Sequence, residues 1–167
     1  VAIEDSRVKA AALAMSCYYP PTGGIFTEAP PHFRDRFMWM ANQNTDAEWY
    51  KYLEGMTLDG KEHLLKCPLL MFAGEMDHLC NVHDTYKFWN RVSSDVKILR
   101  IYAGQYHAIS RFTDEFDISM TPDFLLDRLN GQPVEGEPQR VVMIDHQKNE
   151  KPVNTEALAN GWAFIDG

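Results

Sequence analysis

Two short apolar runs, Leu69–Ala73 and Val96–Tyr102, stop at or just before a glycine, Gly74 and Gly104, and the stretch between them has helical spacing. Pro68 opens the first run, and Asn81 or Asp84 stands near the start of a helix across 82–92. Strand, helix and strand in so short a stretch make a βαβ unit, whose strands run parallel through a right-handed crossover. The fold class is therefore α/β.

The rest of the chain is read around this unit. Val1–Glu4 resembles the tail of a helix, and Asp5-Ser6 is a polar break. The apolar run from Val8 to Tyr18 suits a strand buried on both faces of a parallel sheet, although its alanines leave a helix open. Pro20-Pro21-Thr22-Gly23-Gly24 and Pro30-Pro31 bracket a turn-rich stretch. Residues 32–66 read as helical, with N-cap candidates at Asn44-Thr45-Asp46 and many soft apolar side chains, among them Phe33, Phe37, Met38, Trp39, Met40, Trp49, Tyr50, Tyr52 and Met56. These side chains suit helix core, or a mobile cap lining a substrate pocket; both readings stay open. Thr121 is expected to cap a final helix with Pro122 at its first position and Phe124, Leu125, Leu126 and Leu129 on its apolar side. Asn130-Gly131 ends it, a Gly/Pro linker follows, Val141–Ile144 suits a strand, and a short helix is expected near Thr155–Asn160. Trp162 and Phe164 suggest a terminal segment docked on the body or on another subunit, so a homodimer is one way to bury them. The expected partition is a core strand in 1–19, a helical cap in 20–66, a second core part in 67–130 and an extension in 131–167.

Charge excludes some partners. With 167 residues and a formal charge of −8, the chain is a poor match for a nucleic-acid backbone or an anionic membrane. No apolar run approaches the roughly 18 residues of a membrane span. Cys17, Cys67 and Cys80 are odd in number and widely spaced, which argues against a disulfide framework and for a reducing cytoplasm.

Chemistry in open parallel sheets gathers in loops beyond the carboxyl ends of the strands. Two such loops occur, Gly74-Glu75-Met76-Asp77-His78 and Gly104-Gln105-Tyr106-His107. Neighbouring strand tips lie about 5 Å apart, which puts Asp77 within reach of His107. Taken singly, the aspartate is a turn former and the histidine is structural. Together they are two thirds of a nucleophilic triad: an acid that orients a base. Glu75 is the rival acid, but Asp77, three residues past Gly74, suits a loop that curls back. His78 and His83 beside Asp77 and Cys80 have no metal-ligand spacing, so no metal site is expected. Cys17 and Cys80 read as buried thiols, nucleophiles only if a serine is missing. Trp39, Cys80 and Tyr106 are the expected substrate contacts. Asp145-His146 reads as an exposed turn.

The stretch CPLLMFAGEMDHLCNV followed by VKILRIYAGQYHAISRF resembles the last third of an α/β-hydrolase, and AIEDSRVKAAALAMSCYY resembles the end of the helix behind the nucleophile and the strand after it. The resemblance spans about residues 1 to 130. In that superfamily the chain order is Ser, then Asp or Glu, then His, so Asp77 matches the acid and His107 the base. The branch it resembles has a helical cap and holds the gliding-bacterial esterase, the fungal polyketide-shortening pigment hydrolases and the dihydroxypseudooxynicotine hydrolase. Its members hydrolyse esters or carbon–carbon bonds next to a ketone. No G-x-S-x-G occurs in the chain, and the early strands and oxyanion-hole donors are absent too. The resemblance therefore implies a C-terminal part of a longer hydrolase, whose serine precedes Val1. It further implies a medium-sized aromatic or acyl substrate and no cofactor. Acyl transfer by the same triad and a non-catalytic binding module are the rival functions.

Overall fold

The computed structural model describes residues 1–20, 24–27, 29–107, 109 and 115–161, with only the backbone at 115–118. The elements in chain order are β1 (Ala11–Ala14), α1 (Pro31–Met40), α2 (Asp46–Glu54), a 3₁₀ turn (Glu62–Leu64), β2 (Leu69–Gly74), α3 (Val82–Arg91), β3 (Lys97–Tyr102), α4 (Glu115–Leu129), β4 (Gln139–Ile144), β5 (Glu150–Pro152) and α5 (Thr155–Ala159). They build a five-stranded sheet in the order β1-β2-β3-β4-β5. Pairing is parallel from β1 to β4, and β5 returns antiparallel on β4. This is an α/β fold, a mostly parallel sheet with helices flanking it. Among the described residues no helix is long and apolar enough to cross a membrane.

Strands β2 and β3 are buried at every position, which is why their sequences read as continuous apolar runs. Alternate side chains divide between two layers. Leu69, Met71, Ala73, Leu99 and Ile101 join Phe88, Val82 and Trp89 of α3 on one face. Leu70, Phe72, Ile98 and Tyr102 face the other way, where Met120 and Phe124 of α4 pack on them. Two cations interrupt β3, and each is paired. The Lys97 ammonium donates to the carbonyls of Trp89, Asn90 and Val92 at 3.0–3.3 Å, satisfying the end of α3. Arg100 is paired with Glu150, which ties β5 to the sheet.

Several expectations change. The 8–18 run yields only the four-residue β1, partly buried, because it lies at the margin of the sheet, with no strand beyond it among the described residues. Val1–Glu4 forms a single turn, the amides of Glu4 and Asp5 donating to the Val1 carbonyl. Thr121 is not an N-cap: α4 begins at Glu115 and carries Pro122 inside it. Packing of Met120 and Phe124 on the sheet holds one helix through the proline's missing donor. Leu126 and Leu129, expected on the apolar side, are exposed. Strand β5 gave no sequence signal because all three residues are exposed. Trp162 and Phe164 lie outside the described residues, as do Pro21, Thr22 and Gly23.

The helical reading of 32–66 resolves into two helices and a turn. Thr45 caps α2 in a reciprocal box with Glu48. α2 buries Trp49 and Leu53, whereas α1 buries no residue at all. The core reading therefore holds for part of α2 and fails for α1.

Candidate active site

The site begins with an absence of side chain. A Cβ on Gly74 would sit 2.4 Å from the Tyr106 carbonyl oxygen and 2.5 Å from that of Gln105. Only glycine at the end of β2 lets the loop after β3 lie directly on it. Gly104 turns that loop with φ of +63°, in the left-handed region. Two bonds then lace the loops together: the Gly104 amide donates to Glu75 Oε2 at 2.7 Å, and the Met76 amide to the Gln105 carbonyl at 2.8 Å. Glu75, the rival acid, is thus engaged with the backbone of the neighbouring loop.

Asp77 is fixed from both sides. Its Oδ1 accepts the amides of Leu79 and Cys80, each at 2.9 Å. Its Oδ2 lies 3.0 Å from His107 Nδ1, across 30 positions of sequence. The carboxylate is fully buried, while the imidazole is 33% exposed. A carboxylate offers only acceptors, so Nδ1 carries the hydrogen and Nε2 keeps its lone pair free. The arrangement can orient a base and stabilise the imidazolium formed when it takes a proton.

Cys80 is brought to this pair. Its Sγ, an Asp77 oxygen and a His107 ring nitrogen all lie within 4.8 Å of one another. Burial, aided by the charge of Asp77 and by Cys17, pushes the Cys80 thiol up to about 12. At neutral pH it is a protonated thiol, not a nucleophile. Tyr106, next to His107 in the chain, is 59% exposed. Trp39 is 81% exposed and lines a hollow with Asp35, Met38, Asn42, Gln43 and Asn44, which neither Asp77 nor His107 shares. The structure thus brings together Asp77, His107 and Cys80, sets Tyr106 alongside, and leaves Trp39 elsewhere.

His83 Nδ1 lies 3.0 Å from the Leu158 carbonyl, where α5 docks on α3. His78 is exposed. Asp145 closes its own turn, its Oδ1 accepting the amides of Gln147 and Asn149 at 2.9 and 2.8 Å; the Asn149 amide above all holds its carboxyl below the usual range. The structural parts of Gly74 and Glu75 had escaped the sequence. A glycine followed by an acid at a strand end is their only signal.

A family model described as Hydrolase_4, serine aminopeptidase, S33, matches residues 40–113. The match takes in α2, β2, α3 and β3 with both Asp77 and His107, and it supports the α/β-hydrolase superfamily and a hydrolase of that type. No curated protein and no solved structure matches the chain.

Proposed function

We propose that this chain is the acid–base part of a serine hydrolase that cleaves esters or carbon–carbon bonds next to a ketone. The observation that carries the reading is Asp77 Oδ2 at 3.0 Å from His107 Nδ1, with the other carboxylate oxygen held by two amides. Asp77 accepts Nδ1–H. His107 takes the proton of a serine through Nε2 and returns it to the leaving group, and water completes a second half-reaction. The serine is supplied by polypeptide outside these 167 residues, since no G-x-S-x-G occurs within them. The outer margin of β1 is where such a segment would extend the sheet. Tyr106 and Cys80 border the substrate, and the segment of α1 and α2 forms a cap over it. No cofactor takes part. The three free cysteines suit a cytoplasmic setting.

The matched family is described as an aminopeptidase, so aminoacyl amides belong in the substrate panel beside aryl esters and β-diketones. The test is covalent labelling of the serine-bearing polypeptide by a serine-reactive phosphonate. His107→Ala is expected to abolish labelling, and undiminished labelling would overturn the assignment. Turnover that required an alcohol or amine acceptor in place of water would move the reading to acyl transfer.

A further inference from the structure

The curl that makes Asp77 an oriented acid also delivers a sulfur. Because Asp77 Oδ1 accepts the amides of Leu79 and Cys80, the chain doubles back and carries the Cys80 side chain onto the same carboxylate. His107 reaches that point from the other loop. Carboxylate oxygen, imidazole nitrogen and thiol sulfur then lie within 4.8 Å of one another. Spacings of three and thirty residues match no linear metal motif, which is why no metal site is expected from the sequence.

This donor set is that of a borderline-soft, tetrahedral cation. Zinc takes sulfur at about 2.3 Å, nitrogen at about 2.0–2.1 Å and carboxylate oxygen at about 2.0–2.2 Å, and three protein ligands leave its fourth position open. Asp77 and Cys80 are buried, while the imidazole is partly exposed, so the ion enters and keeps its open position on the His107 side. We propose that Asp77, Cys80 and His107 form a zinc-binding site that captures the acid–base pair and switches it off.

The proton balance is definite. The thiol of Cys80 gives up its proton to solvent and binds as thiolate. His107 binds through Nδ1, so its proton moves to Nε2. The ion's double charge is balanced by carboxylate and thiolate, and one proton is released per ion. With Nε2 protonated and Nδ1 on the metal, the imidazole can no longer take a proton from a serine. The inhibitory half rests on the acid–base role given under Proposed function; the binding half does not.

The test separates the two. Titration of Zn²⁺ and Co²⁺ into the reduced 167-residue chain is expected to show one ion bound and one proton released, with a thiolate-to-cobalt charge-transfer band. Cys80→Ser is expected to lose the band. His107→Ala, which truncates a partly exposed ring and spares the core, is expected to weaken binding by more than about tenfold. No saturable binding, a band that survives Cys80→Ser, or an affinity that His107→Ala leaves unchanged would overturn the site. In the serine-bearing polypeptide, Zn²⁺ is expected to block phosphonate labelling and a chelator to restore it; binding without blocking would overturn the switch. Absent binding with His107-dependent labelling intact sinks the metal site and leaves the hydrolase reading standing. Intact binding with labelling indifferent to His107→Ala sinks the hydrolase reading instead, and the switch with it.

Discussion

The corner built by β2, α3 and β3 and the helical segment of α1 and α2 spend their apolar residues in opposite ways. In the corner, both strands are buried throughout, and Phe88 of α3 stacks on Tyr18 with ring centroids 4.2 Å apart. In the helical segment α1 buries nothing, and Trp39, Met40, Tyr50 and Tyr52 are exposed. The corner is over-determined: Gly74 and two loop-to-loop hydrogen bonds, one of them to Glu75, converge on the spacing between Asp77 and His107. Such a region holds side chains to a geometry. The helical segment offers large apolar surface with little of its own to cover it, which suits a binding surface rather than a scaffold.

The largest expected effect tests the corner as a device for orientation. Asp77→Asn keeps an oxygen for the amides of Leu79 and Cys80 but presents an NH₂ to His107, forcing the wrong tautomer. Turnover of the serine-bearing polypeptide should fall about 10⁴-fold with little change in stability. If Glu75→Gln proves the more damaging, the wrong carboxylate has been taken as the acid.

The next contrast is energetic. Phe88→Ala empties a fully buried site between Tyr18 and the strands and should cost about 3–5 kcal/mol. Trp39→Ala removes a larger side chain from an exposed position and should change stability by no more than about 0.5 kcal/mol. Urea unfolding of both variants measures the difference. Equal costs would mean that Trp39 is covered in solution and that the contrast between the regions is false.

Gly74→Ala probes the join between the two loops. The added methyl meets two backbone carbonyls, which cannot move aside as a flexible side chain would, so about 1–3 kcal/mol of destabilisation is expected. Displacement of the 104–107 loop should also lengthen the Asp77–His107 hydrogen bond. The downfield proton resonance of His107 Nδ1–H would report it, and an unshifted resonance in a folded variant would show that Gly74 is not what sets the spacing.

The corner was legible in the sequence because its signals are local and agree with one another. Pro68, Gly74 and Gly104 bound two strands whose burial on both faces leaves no polar position to blur them, and Asn81 caps α3 through its side chain, which accepts the His83 amide at 2.7 Å. The pairing of Asp77 with His107 followed from adjacency of strand ends alone. What sequence periodicity does not carry is the identity of whatever lies opposite an apolar face. Helical spacing around Phe33 and Phe37 is the same whether α1 is core or cover. The start of α4 was misplaced for a related reason: Thr121-Pro122 has the chemistry of a helix start, and only contact with the sheet keeps the helix continuous through it. Cys80 reads as a buried thiol in the sequence because its neighbour His107 arrives from 27 residues away.

A smaller effect than those at the corner is expected where the two regions meet. Glu62, in the 3₁₀ turn between α2 and β2, is buried, accepts the Tyr19 hydroxyl at 2.8 Å and pairs with Arg91 of α3 at 3.2 Å. Burial acts to raise its carboxyl, but hydrogen bonds from its own amide, Tyr19 and Arg91 outweigh that and hold it below the ordinary glutamate value of 4.5. A group whose folded value is depressed contributes stability that is complete above its unfolded value and fades as pH falls through the folded one. Glu62→Gln keeps the shape and loses the charge, and with Arg91 half exposed the cost at neutral pH should be about 1 kcal/mol. Below pH 4.5 the gap between wild type and variant should close. A gap in urea midpoint that stays constant from neutral pH into acid would mean that packing, not the charge of Glu62, joins the helical segment to the corner, and the two regions would then have to be treated as one core.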